Sequence, residues 1–223
     1  MTLLEAMEAR HSVRRFLSTP LTDETIHALE REIAVCNREG NLQIQLVTDA
    51  PDAFDSRLAH YGKFDNVQHF IALIGPKSAD LDERIGYYGE RLVLLAQTLG
   101  LNTCWVALTF SKSASKNHCQ IAKNERLVCV LALGHGATAG TPHKSKALDA
   151  VCDDTDNMPE WYQRGLHYAL LAPTAINQQK FRFSRQSNRV TVKPGVGFYS
   201  KVDLGIVKYH FELGAGRENF RWL

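Results

Sequence analysis

The sequence predicts an α+β fold, because segments with helical periodicity alternate with short apolar runs of strand length. An order of helix, turn and strand also recurs along the chain, which indicates a repeated structural unit. With 223 residues, of which 44% are hydrophobic and 22% charged, the chain can bury a sizeable core. This length corresponds to one large domain or two small ones.

The first long predicted helix covers residues 23–33. It follows Thr22, a residue type that caps helix N-termini, and it carries isoleucine and leucine at helical spacing. Residues 37–40 are predicted as a turn and residues 43–47 as a strand. Two further apolar runs predict strands at residues 70–75 and 127–134.

A similar unit is predicted later in the chain. A helix over residues 159–171 begins with proline, which suits a first helical turn, and a turn at 173–175 leads into a strand at 180–183. At an offset of 136 residues, Asn-Leu-Gln at 41–43 aligns with Asn-Gln-Gln at 177–179. This alignment is the first indication of an internal repeat.

A second alignment follows in the same order. Residues 86–105 read as a helical stretch that ends at Gly100 and is followed by Trp105, and residues 203–222 copy this plan at an offset of 117 residues. Asp203 is predicted as the N-cap of the second helix and Gly216 as its end. The alternative is that such units resemble one another by chance.

Two alignments in the same order predict two related halves, residues 1–150 and residues 151–223. The halves are unequal in length. The second half lacks a counterpart of the basic residues near the N-terminus, and the first half has Asn-Arg-Glu at 37–39 where the second has Pro-Thr-Ala at 173–175. The first half therefore keeps the basic residues, and the second keeps the Pro-Thr-Ala turn.

Charge and cysteine content exclude several classes of protein. The formal net charge is only +2, so no overall field favours nucleic acid, and no apolar run approaches the length of a membrane span. The N-terminal residues become charged at once, which is unlike a signal peptide. We expect a cytoplasmic protein with free thiols and no metal site, because the cysteines are odd in number and none are paired as C-x-x-C. They are Cys36, Cys104, Cys119, Cys129 and Cys152.

Two short motifs carry the chemistry of the sequence. The N-terminal basic motif, residues 10–14 (Arg-His-Ser-Val-Arg), offers two guanidinium groups and a hydroxyl suited to a phosphate. The Pro173 turn, residues 173–179 (Pro-Thr-Ala-Ile-Asn-Gln-Gln), offers hydroxyl and amide groups that donate and accept. The alternatives are a solvated helix end for the first and an ordinary turn for the second.

In combination and order these motifs resemble the FMN-dependent nitroreductase family. In that family an R-x-S-x-R/K segment holds the flavin phosphate, and a P-S-x-x-N-x-Q-P-W segment lies against the flavin ring. Residues 144–146 (Lys-Ser-Lys) look like the family's late K-x-R segment, which returns to the phosphate. The resemblance implies a nitroreductase-like fold with a mixed or antiparallel sheet flanked by helices. It also implies these FMN ligands: Arg10, His11, Ser12, Arg14, Lys144, Lys146, Pro173, Thr174, Ala175, Asn177 and Gln179.

The chain departs from the family pattern at two places. Lys180 and Phe181 replace the usual Pro-Trp after the Pro173 turn, and residues 107–109 (Ala-Leu-Thr) lack the glycine that usually gives a backbone N–H to flavin N5. The intact basic motif and the intact Pro173 turn occur once each, about 160 residues apart. Because family members are typically homodimers, this arrangement resembles the tandem, single-chain subgroup. It implies a pseudo-dimer that binds one flavin between its halves as a monomer, although it could still self-associate.

The implied function is that of an FMN-dependent oxidoreductase. Electrons would pass from NADH or NADPH through FMN to a nitroaromatic or quinone-like acceptor, with no catalytic side chain required. A flavin storage or sensor module without productive turnover is the alternative from another class, and a flavin-fragmenting or dehalogenating relative is a third possibility. The resemblance gives no reason to expect a nucleic-acid or membrane partner.

Two other patterns were weighed as functional signals. Asp203 and His210 share a predicted helix face, but we interpret Asp203 as an N-cap and His210 as a helix residue near the seam between the halves. The glycines at 134–140 resemble a dinucleotide-binding loop, but their spacing differs and Pro142 interrupts the helix that should follow. Neither pattern is assigned a catalytic role.

Overall fold

The structure is a computed structural model that describes residues 1–55, 59, 61–142, 144–153 and 156–223. The chain divides into two compact units. The first unit comprises residues 1–8, 82–91 and 143–223, and the second comprises residues 9–81 and 92–142. The two units therefore interleave along the sequence.

The elements are named in chain order. The helices are α1 (Leu3–Ala9), α2 (Asp23–Gly40), α3 (Leu81–Thr98), α4 (Lys112–Asn117), α5 (Glu160–Ala169) and α6 (Ser200–Ala215). The strands are β1 (Gln45–Val47), β2 (His69–Pro76), β3 (Asn102–Val106), β4 (Glu125–Gly134), β5 (Phe181–Gln186), β6 (Arg189–Pro194) and β7 (Arg221–Trp222). In the ranges that the structure describes, no helix is both long enough and apolar enough to cross a bilayer.

The second unit is built on a four-stranded antiparallel sheet in the order β1-β2-β4-β3. The central strands β2 and β4 are almost entirely buried, which explains why both read as unbroken apolar runs in the sequence. A cluster that includes Phe54, Phe64, Phe70 and Phe110 forms the core beside this sheet. Strand β3 lies at one edge and is therefore available for a further contact.

The first unit contains a three-stranded mixed sheet and the helix pair α5 and α6. Strands β5 and β6 are antiparallel, and β7 pairs with β6 in parallel. Phe211 of α6 is fully buried among aromatic rings and stacks on Phe183 of β5 with ring centroids 4.9 Å apart. This packing joins the helices to the sheet within the unit.

Residues 82–91 of α3 cross α6 closely within the first unit. A Cβ atom added to Gly86 would lie 1.9 Å from the carbonyl oxygen of Val202, and one added to Gly205 would lie 1.9 Å from that of Glu83. The two backbones therefore approach so closely that only glycine fits at either position.

The α+β class, with sheets flanked by helices, is confirmed. The predicted strands at 70–75 and 127–134 are confirmed as β2 and β4, and Thr22 caps α2 by accepting a hydrogen bond from the Thr25 N–H at 3.2 Å. Two boundaries were wrong. Residues 37–40 form the last helical turn of α2, because Asn41 supplies the left-handed cap (φ 47°) that ends it.

The second wrong boundary is the start of α6, which begins at Ser200 and not after Asp203. The helix predicted from Gly86 ends close to Gly100 as expected: α3 ends at Thr98, and the chain turns at Gly100, whose φ is +77°, before β3 begins. Trp105 therefore lies on an edge strand. The division into halves at residue 150 stays a prediction, because it concerns a repeat in the sequence, whereas the compact units are defined by packing.

Candidate functional site

The N-terminal basic motif lies along the edge strand β3. Ser12 forms an isolated parallel bridge with Thr103, and the Val13 N–H donates to the Thr103 carbonyl at 3.0 Å. This pairing extends the sheet by a short segment. It holds the motif in a defined orientation, so that its side chains project from a rigid support.

Three side chains of the motif influence the thiol of Cys104. The Ser12 hydroxyl hydrogen-bonds the Cys104 thiol, and Arg14 and Arg10 lie close enough to influence it electrostatically. Burial raises the pKa of this thiol, and the two guanidinium groups and Ser12 partly oppose the shift. Arg10, Ser12 and Arg14 are therefore neighbours in space as well as in sequence.

The donor set fits a phosphate group. Arg10 is 4% exposed, whereas Arg14 is exposed and stacks over the ring of Phe64. In the part of the chain that the structure describes, no carboxylate pairs with Arg14. Two guanidinium groups and a hydroxyl on one short segment can bind a dianion through charge-assisted hydrogen bonds.

Gly140 is a residue of this region that sequence reasoning missed. It has a φ of +77°, and an added Cβ would lie 2.6 Å from His11 Cβ and 3.1 Å from the Ser12 carbonyl oxygen. His11 itself has its ring Nδ1 2.8 Å from the Arg10 carbonyl oxygen. The glycine run that suggested a dinucleotide loop instead lets the chain pass close behind the basic motif.

The Pro173 turn is a short 3-10 segment with unusual backbone angles. Three of its residues have left-handed conformations: Ile176 (φ 49°), Asn177 (φ 54°) and Gln179 (φ 44°). The Thr174 hydroxyl accepts the Gln179 N–H at 3.0 Å, which closes the turn. Asn177 is exposed at its tip.

Residues 144–146 pack against this turn through Gln179, which is 2% exposed. The Gln179 Oε1 accepts the Lys146 N–H at 2.9 Å, and its Nε2 donates to the Lys144 carbonyl at 2.8 Å. The Lys146 ammonium donates to the carbonyls of Gln178 (2.8 Å) and Gln179 (3.1 Å). Lys146 thus stabilises the turn with two of its three N–H bonds and retains the third.

The Asn177 side chain is partly engaged within the same group. Its Nδ2 donates to the Lys144 carbonyl at 3.1 Å, and its Oδ1 accepts from the Gln179 side chain at 2.8 Å. Each of these atoms can form one further hydrogen bond. The exposed amide therefore keeps one donor and one acceptor for a ligand with a mixed polar edge.

Asp203 lies within α6, and its side chain binds the Pro173 turn. Its prediction as the N-cap of this helix was wrong. Helix α6 begins at Ser200, and Tyr199 occupies the cap position. The Asp203 carboxylate accepts the Ala175 N–H at 2.9 Å and the Gln178 Nε2 at 2.7 Å. Burial raises its pKa to about 6, partly opposed by these two hydrogen bonds.

His210 is fully buried, and both of its ring nitrogens have hydrogen-bond partners. Its Nε2 lies 2.8 Å from Glu90 Oε1 and its Nδ1 lies 3.0 Å from the Tyr168 carbonyl oxygen, and both partners of the ion pair are fully buried. The absence of solvent access agrees with a packing role. Among the described residues, no cluster of side chains is arranged to hold a metal ion.

The structure thus brings the predicted ligands together in two groups. Arg10, His11, Ser12 and Arg14 form one group in the second unit, and residues 144–146 form the other with the Pro173 turn in the first unit. Within each group the predicted side chains are neighbours. Their contacts with FMN stay a prediction.

The fold and these motifs define a protein of the nitroreductase class. A family model described as "Putative TM nitroreductase" matches residues 2–215, and the chain belongs to this family. Membership places it among nitroreductase-type oxidoreductases. No curated protein matches the chain.

Solved structures of nitroreductase-type proteins share the fold. A "putative nitroreductase" from Thermotoga maritima has 21% identity and a TM-score of 0.69, with coverage of 98% of this chain and 85% of that one. A "putative nitroreductase in complex with FMN" from Desulfovibrio desulfuricans has 14% identity, a TM-score of 0.53 and coverage of 67% and 94%. A "nitroreductase-like protein" from Streptococcus mutans has 15% identity, a TM-score of 0.55 and coverage of 66% and 94%.

Proposed function

We propose that this protein is an FMN-dependent oxidoreductase that takes electrons from NADH or NADPH and reduces a small nitroaromatic or quinone-like acceptor. The observation that carries this proposal is that the segment with Arg10, Ser12 and Arg14 is fixed along β3 by the pairing of Ser12 and Val13 with Thr103. Such a donor set on a supported backbone suits a terminal phosphate, which FMN has and riboflavin lacks. The FMN complex of the Desulfovibrio relative agrees with this choice of flavin.

Each group of residues has a distinct role in the proposal. The N-terminal basic motif binds the phosphate, with support from the side chains of Lys144 and Lys146. The Pro173 turn presents the hydroxyl of Thr174, the amide of Asn177 and backbone N–H groups to the polar edge of the flavin ring. Gln179 fixes residues 144–146 to the turn and so acts from behind it.

When bound, FMN supplies the hydride and electron transfer itself. The side chains need only bind and orient FMN, because the reaction requires no side-chain nucleophile or general base. We also propose a cytoplasmic location, since five cysteines that form no disulfide suit a reducing compartment.

We further propose that one chain supplies both parts of a single flavin site, as a pseudo-dimer. The helix crossing supports this, because its contacts are reciprocal: Gly86 meets Val202 and Gly205 meets Glu83. Each pair is related by the same offset of 119 residues, from 86 to 205 and from 83 to 202. A two-fold interface between identical chains has this property.

Coverage by the relatives supports the same proposal. The Desulfovibrio and Streptococcus proteins align over 94% of their own length but over only about two thirds of this chain. The Thermotoga protein aligns over 98% of this chain. About one third of the present chain therefore lies outside the alignment with these two proteins, which is close to the size of residues 151–223.

The first experiment identifies the flavin and counts it. The purified protein is denatured, the released flavin is identified, and the flavin-to-chain ratio is compared with the molecular mass in solution. We expect FMN at one per chain in a competent monomer. A protein that neither contains nor takes up FMN would refute the function, whereas two flavins per chain would refute only the pseudo-dimer.

The second experiment removes one guanidinium group. Arg10→Ala should weaken FMN binding about thirtyfold, the effect of losing charge-assisted contacts worth about 2 kcal/mol, and should affect riboflavin less. Arg15→Ala is the matched control, because Arg15 is 66% exposed and forms an exposed pair with Asp65. Equal losses for FMN and riboflavin would show that Arg10 acts on the fold rather than the phosphate.

A flavin storage or sensor module is the second candidate function. It is favoured by Ala107, Leu108 and Thr109, which stand where the family usually has a glycine that exposes a backbone N–H. Rapid mixing of the flavin-loaded protein with NADH and with NADPH separates the candidates. Fast bleaching of flavin absorbance by either donor supports the oxidoreductase, and slow reduction by both supports storage.

A further inference from the structure

The Pro173 turn adopts a backbone conformation that its own residues disfavour. Ile176 has a φ of 49°, although a β-branched side chain clashes with the backbone in the left-handed region. Its side chain is 88% exposed, so burial of the isoleucine does not hold it there. Asn177 and Gln179 follow in the same region, with φ of 54° and 44°. Contacts from outside the turn must therefore stabilise it.

The carboxylate of Asp203 makes contacts of this kind. One oxygen accepts the N–H of Ala175, which precedes Ile176, at 2.9 Å. The other accepts the side-chain amide of Gln178, which lies between Asn177 and Gln179, at 2.7 Å. The amide of Gln178 also donates to the Phe198 carbonyl at 2.7 Å. One side chain of helix α6 thus contacts the strained segment at two points.

Asp203 is an unusual residue to find in this position, because it is a carboxylate only 3% exposed. Three ammonium groups of the same unit bind other partners. Lys146 binds the carbonyls of Gln178 and Gln179, Lys180 binds the Val196 carbonyl at 3.0 Å, and Lys208 pairs with Glu83. In the described residues the partners of Asp203 are thus neutral N–H groups.

We propose that Asp203 is the positioning residue of the Pro173 turn, and that its hydrogen bonds to Ala175 and Gln178 fix the orientation in which the turn presents Asn177. The effect on the turn is independent of any ligand. The effect on FMN rests on the proposed function.

The charge of Asp203 also sets how firmly the turn is held. Burial raises its pKa to about 6, so the closed turn binds a proton more tightly than a solvated, open turn does. Protonation therefore favours the closed turn, and opening becomes easier as the pH rises through 6. Asparagine at this position mimics the neutral acid and should remove the pH dependence.

The test is amide hydrogen exchange in the full-length protein without added flavin, between pH 5 and 8, corrected for intrinsic exchange rates. Asp203→Ala should lower the protection of the Ala175 and Gln179 amides about tenfold, the effect of losing one charge-assisted hydrogen bond. Asp203→Asn keeps one acceptor oxygen, so it should restore the protection in part and show no change across pH 6. Glu160→Gln, which changes an exposed carboxylate of the same unit, should match the wild type.

Wild-type protection in Asp203→Ala would overturn the proposal. If that variant does not fold, the Asn variant decides, because a pH profile near 6 identical to that of the wild type would also overturn it. FMN titration is the second measurement, with an expected loss of about tenfold in Asp203→Ala and partial recovery in Asp203→Asn. A wild-type protein that binds no FMN would refute the proposed function, while the exchange data would still decide the role of Asp203.

Discussion

The crossing of α3 and α6 makes a sharp prediction for Gly205→Ala. The added Cβ would lie 1.9 Å from the Glu83 carbonyl oxygen and 2.6 Å from the Tyr87 nitrogen. Both are backbone atoms, so no side chain can rotate away. Ordinary contact begins at 3.4 Å, and the two helices would have to separate by roughly 1.5 Å to reach it.

The free energy follows from two opposed effects. Overpacking in a close-packed region costs about 1–3 kcal/mol, and rigid backbone on both sides places this substitution at the upper end or beyond. Alanine recovers about 1 kcal/mol of helix propensity. We therefore expect a net loss of at least about 2 kcal/mol, which lowers the Tm of a protein of this size by about 4–8 °C.

The assay compares thermal and urea unfolding of Gly205→Ala, Gly86→Ala and a control. Gly86→Ala should lose a similar amount, because its Cβ would lie 1.9 Å from the Val202 carbonyl. The double variant should lose less than the sum, since one separation of the helices relieves both clashes. Gly195→Ala, whose Cβ would lie 3.2 Å from Lys180 Cβ and 3.3 Å from its carbonyl oxygen, is a milder contact and should lose clearly less. Wild-type stability in Gly205→Ala would refute the close crossing.

Three other predictions concern buried titratable groups. The pKa of Asp203 is about 6 against a reference of 3.8, so ionisation costs about 3 kcal/mol, and this stability is lost as the pH rises from 3.8 to 6. Asp203→Asn lacks this ionisation but can accept only one of the two hydrogen bonds. Its free energy of unfolding relative to the wild type should therefore be about 2–3 kcal/mol higher at pH 7.5 than at pH 4, as measured in urea. His210→Ala should cost about 2–5 kcal/mol, because it leaves a cavity at a fully buried position and removes the hydrogen bonds to Glu90 and the Tyr168 carbonyl, whereas exposed His167→Ala should cost under about 0.5. Cys104 should resist alkylation at pH 8 in the folded protein, because burial raises its pKa, and mass spectrometry would detect early labelling.

Strands and helix starts could be predicted because their causes are local. An unbroken apolar run gives β2 and β4, and Thr22 gives the start of α2. Helix ends were harder to predict. The segment at 37–40 contains turn-forming residues but stays helical until Asn41 adopts a left-handed conformation. The residue types at 37–41 do not indicate in advance that the left-handed conformation falls on Asn41.

The candidate site was predictable in its chemistry but not in its support. The guanidinium and hydroxyl groups of the basic motif are visible in the sequence, as are the polar residues of the Pro173 turn. The positions of Gly140 and Asp203 behind them depend on tertiary packing. For Asp203 the sequence favoured an N-cap, because aspartate is common there, and burial within α6 overrode that preference.

The helix crossing also explains why the offset between the proposed halves differs between the crossing and the tryptophans. The glycines of the crossing are 119 residues apart, whereas Trp105 and Trp222 are 117 apart. Helix α3 continues for twelve residues after Gly86, and α6 continues for ten after Gly205, while each tryptophan follows its helix end by seven residues. On the proposed duplication, two residues are therefore missing from the second helix between the crossing and its end. A duplicated scaffold that must keep its glycine contact, but can shorten the helix beyond it, accounts for both numbers.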